Sequence, residues 1–168
     1  LQGAPEEVLA LLAREAEGMQ RKAFTDRWER AFDRAAAVRR NFRPDYSQLA
    51  AVKAFHEKMQ AEEIDGELFY ANSSAVRLGN IFSNQYLYVN RGVNGIEGTL
   101  STAVGYALAR QDEEDVYCVI GDLSFFYDQN ALWNEQLPPN LSILLLNNGG
   151  GGIFHQLPGL EHSPYRDS

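Results

Sequence analysis

Four apolar runs in this sequence give way to polar residues able to hold a ligand. "ELFYA" leads into Asn72-Ser73-Ser74, "YLYV" into Asn90-Arg91-Gly92, "VYCVI" into Gly121-Asp122 and "SILLL" into Asn147-Asn148. Taken singly, such residues commonly cap the helix that follows. Asp122 and Asn148 are more suggestive as a pair. A separation of twenty-six residues is enough for a helical crossover between parallel strands, so both can stand on one sheet edge. A carboxylate, an amide oxygen and a backbone carbonyl form a donor set suited to Mg²⁺, which completes its octahedron with water and phosphate oxygens. Gly150, inside the run Gly149 to Gly152, can supply the carbonyl. A helix starting at Leu123-Ser124 would offer unpaired N–H groups to a diphosphate. Four successive glycines are then bare because a bound group presses on the main chain. The rival reading is a slack connector.

Cationic groups are sparse around these ends. Between Arg43 and the C-terminal residues the only arginines are Arg77, Arg91 and Arg110, and the first two fall near strand ends. Guanidinium groups bind carboxylates through paired hydrogen bonds. The three histidines suggest no catalytic role: His56 is expected on a solvated helix face, His155 borders the glycine run, and His162 stands in the terminal loop.

These residues need a scaffold, and hydrophobic periodicity supplies one. "SQLAAVKAFHEKMQ" reads as a helix with Ser47 as N-cap and Leu49, Val52, Phe55 and Met59 on one face. Then come a strand "ELFYANSS", a helix "AVRLGNIF", a strand "YLYVN", a loop "RGVNGIEG", a helix "TLSTAVGYALAR", a strand "VYCVIG", a helix "LSFFYDQNALWNEQ" and a strand "SILLLNN". Continuous apolar strands alternating with helices predict an α/β fold, a mostly parallel sheet flanked by helices. Ligands of such sheets bind at the C-terminal edge, where all four polar ends fall.

The first 44 residues differ from the rest. They carry nine basic and seven acidic side chains, leaving six basic against sixteen acidic for the remainder. Apolar residues at Val8, Leu9, Leu11, Leu12, Ala16 and Met19, then Phe24, Trp28, Ala31, Phe32, Ala35 and Val38, predict two helices. Residues 1–44 read as a helical connector from a preceding domain, and 45–168 as the ligand-binding domain. The formal net charge of −8 argues against nucleic acid as a partner. No run of about 20 apolar residues offers a membrane span, and the acidic start does not read as a signal peptide. With a lone core cysteine, Cys118, the expected location is the cytoplasm.

A strand ending in Gly-Asp, a helix and a strand ending in Asn-Asn together resemble the thiamine-diphosphate-binding signature of the pyruvate decarboxylase and acetolactate synthase superfamily. That signature usually reads Gly-Asp-Gly, whereas Leu123 stands third here. The segments "NRGVNGIEGTLSTAVGYA", "IGDLSFFYDQNALWN" and "NLSILLLNNGGGGIFHQLPG" are similar to the 2-succinyl-5-enolpyruvyl-6-hydroxy-3-cyclohexene-1-carboxylate synthases of menaquinone biosynthesis, where Gly-Asp-Leu-Ser is ordinary. The resemblance runs from about Leu68 to the end and is faint in 1–44. Gly149 stands where the family would have an aspartate.

The resemblance implies a cofactor, substrates and residue roles. The family decarboxylates 2-oxoglutarate on thiamine diphosphate and adds the succinyl-semialdehyde carbanion equivalent to isochorismate in a conjugate addition. By motif, Asp122, Asn148 and the Gly150 carbonyl would hold Mg²⁺, or Mn²⁺ in its place. Asn94, Gly95, Ile96, Gly121, Leu123, Ser124 and Ile153 would border the cofactor, with Ile96 propping its bent form. Ser73, Arg77, Arg91, Ile153 and Phe154 would meet substrate. The glutamate that activates the cofactor belongs to a separate pyrimidine-binding domain, usually of a partner subunit in a homodimer or dimer of dimers. The chain therefore reads as a pyrophosphate-binding domain, cut short at its C-terminus and inactive by itself. Alternatives are another thiamine-diphosphate-dependent 2-oxo acid decarboxylase or carboligase, and a noncatalytic Mg²⁺-binding α/β module.

Overall fold

A computed structural model describes residues 4–16, 22–111 and 113–164. Met19, expected on the first helix, and residues 165–168 of the terminal loop lie outside them. The chain divides into two compact units, 1–42 and 43–168. In the first, α1 (Pro5–Glu15) begins at proline, whose missing N–H is no loss in a first turn, with Glu6 and Glu7 beside the positive end of the helix dipole. α2 (Lys22–Asn41) places Arg39 and Arg40 in its last turn. Phe24, Trp28 and Phe32 follow one another along α2, with ring centroids 6.3 and 5.7 Å apart. No residue of either helix is buried.

The second unit opens with α3 (Gln48–Ala61). Its cap is as expected, because Ser47 Oγ accepts the Ala50 N–H at 3.2 Å. β1 (Glu67–Tyr70), α4 (Ser74–Phe82), β2 (Leu87–Tyr88), α5 (Thr99–Ala109), β3 (Val116–Gly121), α6 (Asp122–Asp128) and β4 (Leu141–Leu146) then alternate. The four strands form one sheet in the order β2-β1-β3-β4, every pair parallel. β3 is central, and Val116, Cys118, Val119 and Ile120 are fully buried, as a strand covered on both faces should be. Val52 of α3, Ala75 of α4, and Leu100, Ala103 and Ala107 of α5 complete the core. Burial, helped by the charge of Asp128, pushes the Cys118 thiol up to about 12, so it stays a neutral core residue.

Several sequence expectations change, among them the strand expected over "ELFYANSS", which ends at Tyr70 with Ser74 already in α4. The strand expected over "YLYVN" is only Leu87–Tyr88, an edge pairing with β1 alone. The helix expected to run to Gln136 stops at Asp128 and continues as a 3-10 turn, Gln129–Leu132. Asp128 is buried, and its carboxylate accepts the Ser101 N–H at 2.7 Å and also the Ser101 hydroxyl. Bonds to the first turn of α5 fix the end of α6 in place. Finally, His56 is buried rather than solvated, with Nε2 2.7 Å from the Tyr70 hydroxyl.

Candidate functional site

The strand order decides where a ligand can enter. β1 leads through α4 to β2 on its left, whereas β3 leads through α6 to β4 on its right. Right-handed crossovers then carry α4 and α6 to opposite faces, and the loops after β1 and β3 separate to leave a crevice at the C-terminal edge. Asn72 and Ser73 stand on one side of that point, Gly121 and Asp122 on the other.

On the β3 side, Asp122 is buried with 6% of its surface exposed. One carboxylate oxygen accepts the Leu123 N–H at 2.9 Å, the other the Gly149 N–H at 2.8 Å. Asn147 Oδ1 accepts the same Gly149 N–H at 3.0 Å. Gly149 has φ 76°, the left-handed conformation that turns the chain back after β4. Gly151 packs against Phe154: a Cβ there would lie 2.6 Å from the ring, which would have to shift. The glycine run is therefore a folded turn rather than a slack connector. Asn148 is exposed beside it, Gly150 is half-buried, and Ile153 and Phe154 are exposed on the 3-10 turn Gly152–Gln156. Ser124 is buried.

Gly121 has a different meaning. Its φ of −76° and ψ of 160° suit any residue, and a Cβ there would meet nothing within 4 Å. Neither backbone nor packing requires glycine. The missing side chain leaves open space directly before Asp122.

On the β1 side, Ser73 adopts φ 72° and ψ −128°. This is a glycine-favoured conformation that costs a serine about 1–3 kcal/mol. Its side chain makes no capping bond to α4. A sharp strand-to-helix turn of this kind holds a side chain out over a sheet edge. Asn94, at φ 61°, also has a left-handed φ, one that asparagine tolerates better than most residues. Between them, buried Asn72 donates to the carbonyls of Asn90, at 3.2 Å, and of Gly95, and accepts from Arg91 Nη1 at 3.2 Å. Arg77 and Arg91 are exposed, and among the described residues no carboxylate pairs with either. Ile96 is half-buried in the same loop.

Two hydrogen-bonded groups thus stand after the strands: Asp122 with Leu123 and Gly149 after β3 and β4, and Asn72 with Asn90, Arg91 and Gly95 after β1 and β2. No hydrogen bond joins them among the described residues. Asn72 and Asn147 take roles beyond the helix capping expected of polar residues at strand ends. Their signal was position, since an amide directly after a buried strand is placed to bond a neighbouring loop.

The donor set constrains the metal. Among the described residues no three His, Cys, Asp or Glu side chains converge. One near-buried carboxylate, an exposed amide and a glycine carbonyl form too small a set to enclose a cation, and they fit a hard ion that keeps water or phosphate oxygens. By donor type Asp122, Asn148 and Gly150 fit a hard cation such as Mg²⁺, and the space at Gly121 is open beside them in sequence.

No family model matches the chain. Over 121 residues, 70% of its length, it is 53% identical to the 2-succinyl-5-enolpyruvyl-6-hydroxy-3-cyclohexene-1-carboxylate synthase of Bacteroides fragilis. Identity and coverage are the same for the synthase of that name from Bacteroides thetaiotaomicron, and 45% over 121 residues for that of Christiangramia forsetii. The chain belongs to this synthase family. It spans about a fifth of the length of the curated relatives it matches, 21% for the two Bacteroides proteins. Among the described residues, no helix is long and apolar enough to cross a membrane.

Proposed function

We propose that this chain is the metal- and diphosphate-binding part of a thiamine-diphosphate-dependent synthase of menaquinone biosynthesis. The full enzyme would decarboxylate 2-oxoglutarate and add the four-carbon remainder to isochorismate by conjugate addition. The observation that carries this reading is Asp122, a near-buried carboxylate that ties the ends of β3 and β4 together beside an open space at Gly121. When bound, thiamine diphosphate supplies the electron sink for loss of CO₂ from a 2-oxo acid. Asp122, Asn148 and the Gly150 carbonyl hold Mg²⁺ or Mn²⁺, and Gly121, Leu123 and Ser124 flank the diphosphate. Asn94, Gly95, Ile96 and Ile153 border the rest of the cofactor, the bulk of Ile96 setting its shape.

Both substrates are dicarboxylates and the chain carries a net charge of −8, so local cations are needed to admit them. Arg77 and Arg91, with Ser73 and Phe154, form that receptive patch. The acid activating the cofactor is assigned to another domain of a cytoplasmic homodimer or dimer of dimers, so these residues by themselves are inactive. Calorimetric titration of the full-length enzyme with thiamine diphosphate and Mg²⁺ tests the reading. Gly121→Ala keeps the folded structure but places a methyl group in the cradle, and affinity should fall about tenfold or more. Wild-type affinity in a folded variant would refute the diphosphate site.

A further inference from the structure

Asn72 is one of the few buried polar residues at this edge, and its bonding is unusually complete. Both hydrogens of its amide are donated to carbonyls, those of Asn90 and Gly95, while its oxygen accepts from Arg91. All three partners lie in one six-residue loop, 90–95, which carries Arg91 near its start and Asn94, at a left-handed φ of 61°, near its end. Only a side-chain amide offers two donors and an acceptor in this arrangement. A carboxylate would face two carbonyls with like partial charge, and an apolar side chain would leave buried groups unpaired. Arg91 is otherwise an exposed side chain whose long stem samples many rotamers.

We propose that Asn72 is the positioning residue of the site. It directs the Arg91 guanidinium and, through the Asn90 and Gly95 carbonyls, sets the course of the loop that presents Asn94 and Ile96. One buried amide thereby keeps the substrate-facing and cofactor-facing parts of the loop in fixed relation. The inference rests on the reading of Arg91 as a substrate-carboxylate ligand and of Asn94 and Ile96 as cofactor neighbours.

The test uses the full-length enzyme with Asn72→Ser, Asn72→Asp, Arg91→Ala and the Asn72→Ser/Arg91→Ala double variant. Three quantities are measured: kcat/KM for 2-oxoglutarate, the Kd for thiamine diphosphate, and hydrogen exchange of the 91–95 amides without ligands. Asn72→Ser should speed exchange in that loop and weaken both kcat/KM and cofactor affinity about tenfold or more, whereas Arg91→Ala should affect kcat/KM alone. In the Arg91→Ala background, Asn72→Ser should cost little further kcat/KM yet still weaken cofactor binding. Asn72→Asp keeps the acceptor for Arg91 and loses both donors, so it should loosen the loop and weaken the cofactor more than the substrate. It also serves if the serine variant fails to fold. Unchanged exchange in both single Asn72 variants, or a kcat/KM loss undiminished by Arg91→Ala, would overturn the proposal. A wild-type kcat/KM in Arg91→Ala would instead remove the substrate role of Arg91, leaving the exchange and cofactor readouts to judge Asn72.

Discussion

The carboxylate of Asp122 and the backbone amide of Gly149 are joined by a 2.8 Å hydrogen bond that locks the end of β3 to the turn after β4, 27 residues away. The same carboxylate accepts from Leu123, so each oxygen is already oriented by the protein before any cation is bound. Asp122→Asn keeps an acceptor for one of these amides, and folding stability should fall by only about 1–2 kcal/mol. The charge is lost completely. Mg²⁺-dependent binding of thiamine diphosphate to the full-length enzyme should collapse while the melting curve moves by a few degrees. Calorimetry beside thermal unfolding checks this, and intact cofactor affinity would rule out Asp122 as the metal ligand.

His56 and Tyr70 form a second buried pair whose consequence is a pH dependence. Burial lowers the His56 pKa from its ordinary 6.5 to about 4 and raises that of Tyr70. On α3, the neighbouring charges are Lys53 and Glu57, paired with each other one turn apart. The unfolded chain protonates His56 below about pH 6.5 while the folded protein resists until about 4. The stability supplied by a neutral His56 is complete above the unfolded pKa and is lost as pH falls between those values, by up to about 3 kcal/mol. Denaturant unfolding of wild type and His56→Gln from pH 7.5 to 4 should give curves that converge toward acid. Parallel curves would show that His56 titrates freely.

Arg77 and Arg91 should separate from Asp122 in their effects. If each guanidinium meets a substrate carboxylate, removing one leaves an acid unpaired and costs roughly 2–5 kcal/mol in transition-state binding. Arg77→Ala and Arg91→Ala should therefore depress kcat/KM for the dicarboxylates strongly and leave the Kd for thiamine diphosphate near wild type. Steady-state kinetics with both substrates, with cofactor titration alongside, decides it. Wild-type kcat/KM in both would leave them ordinary surface arginines.

Much of this architecture is readable in the sequence because it rests on local pattern. Ser47 announces the start of α3, and the unbroken run "VYCVI" marks the fully covered central strand. The four polar strand ends fall where parallel pairing must place them. What escapes the pattern depends on partners distant in sequence. His56 looks solvated until β1 brings the Tyr70 hydroxyl to it. The helix after Asp122 looks long until Ser101 of another helix captures Asp128. Asn72 looks like a helix cap, and only the folded loop 90–95 shows where its three hydrogen bonds go.

The strain at Ser73 yields the most discriminating prediction, because it separates backbone from hydroxyl. At φ 72° and ψ −128° the residue sits where glycine is at ease and serine is not. Ser73→Gly relieves about 1–3 kcal/mol of strain and gives back roughly 0.5–1 kcal/mol through the freer unfolded chain, a net gain of about 1 kcal/mol. Ser73→Ala keeps the strain and, with no capping bond to lose, should stay within about 0.5 kcal/mol of wild type. Both variants lack the hydroxyl. If Ser73 acts only by hydrogen bonding a substrate carboxylate, the two should lose kcat/KM equally. If the strained turn also fixes where α4 presents Arg77, the glycine variant should be the more stable protein and the poorer enzyme. Thermal unfolding and 2-oxoglutarate kinetics on the same preparations distinguish these outcomes. A glycine variant no more stable than the alanine one would mean that no strain is stored at Ser73.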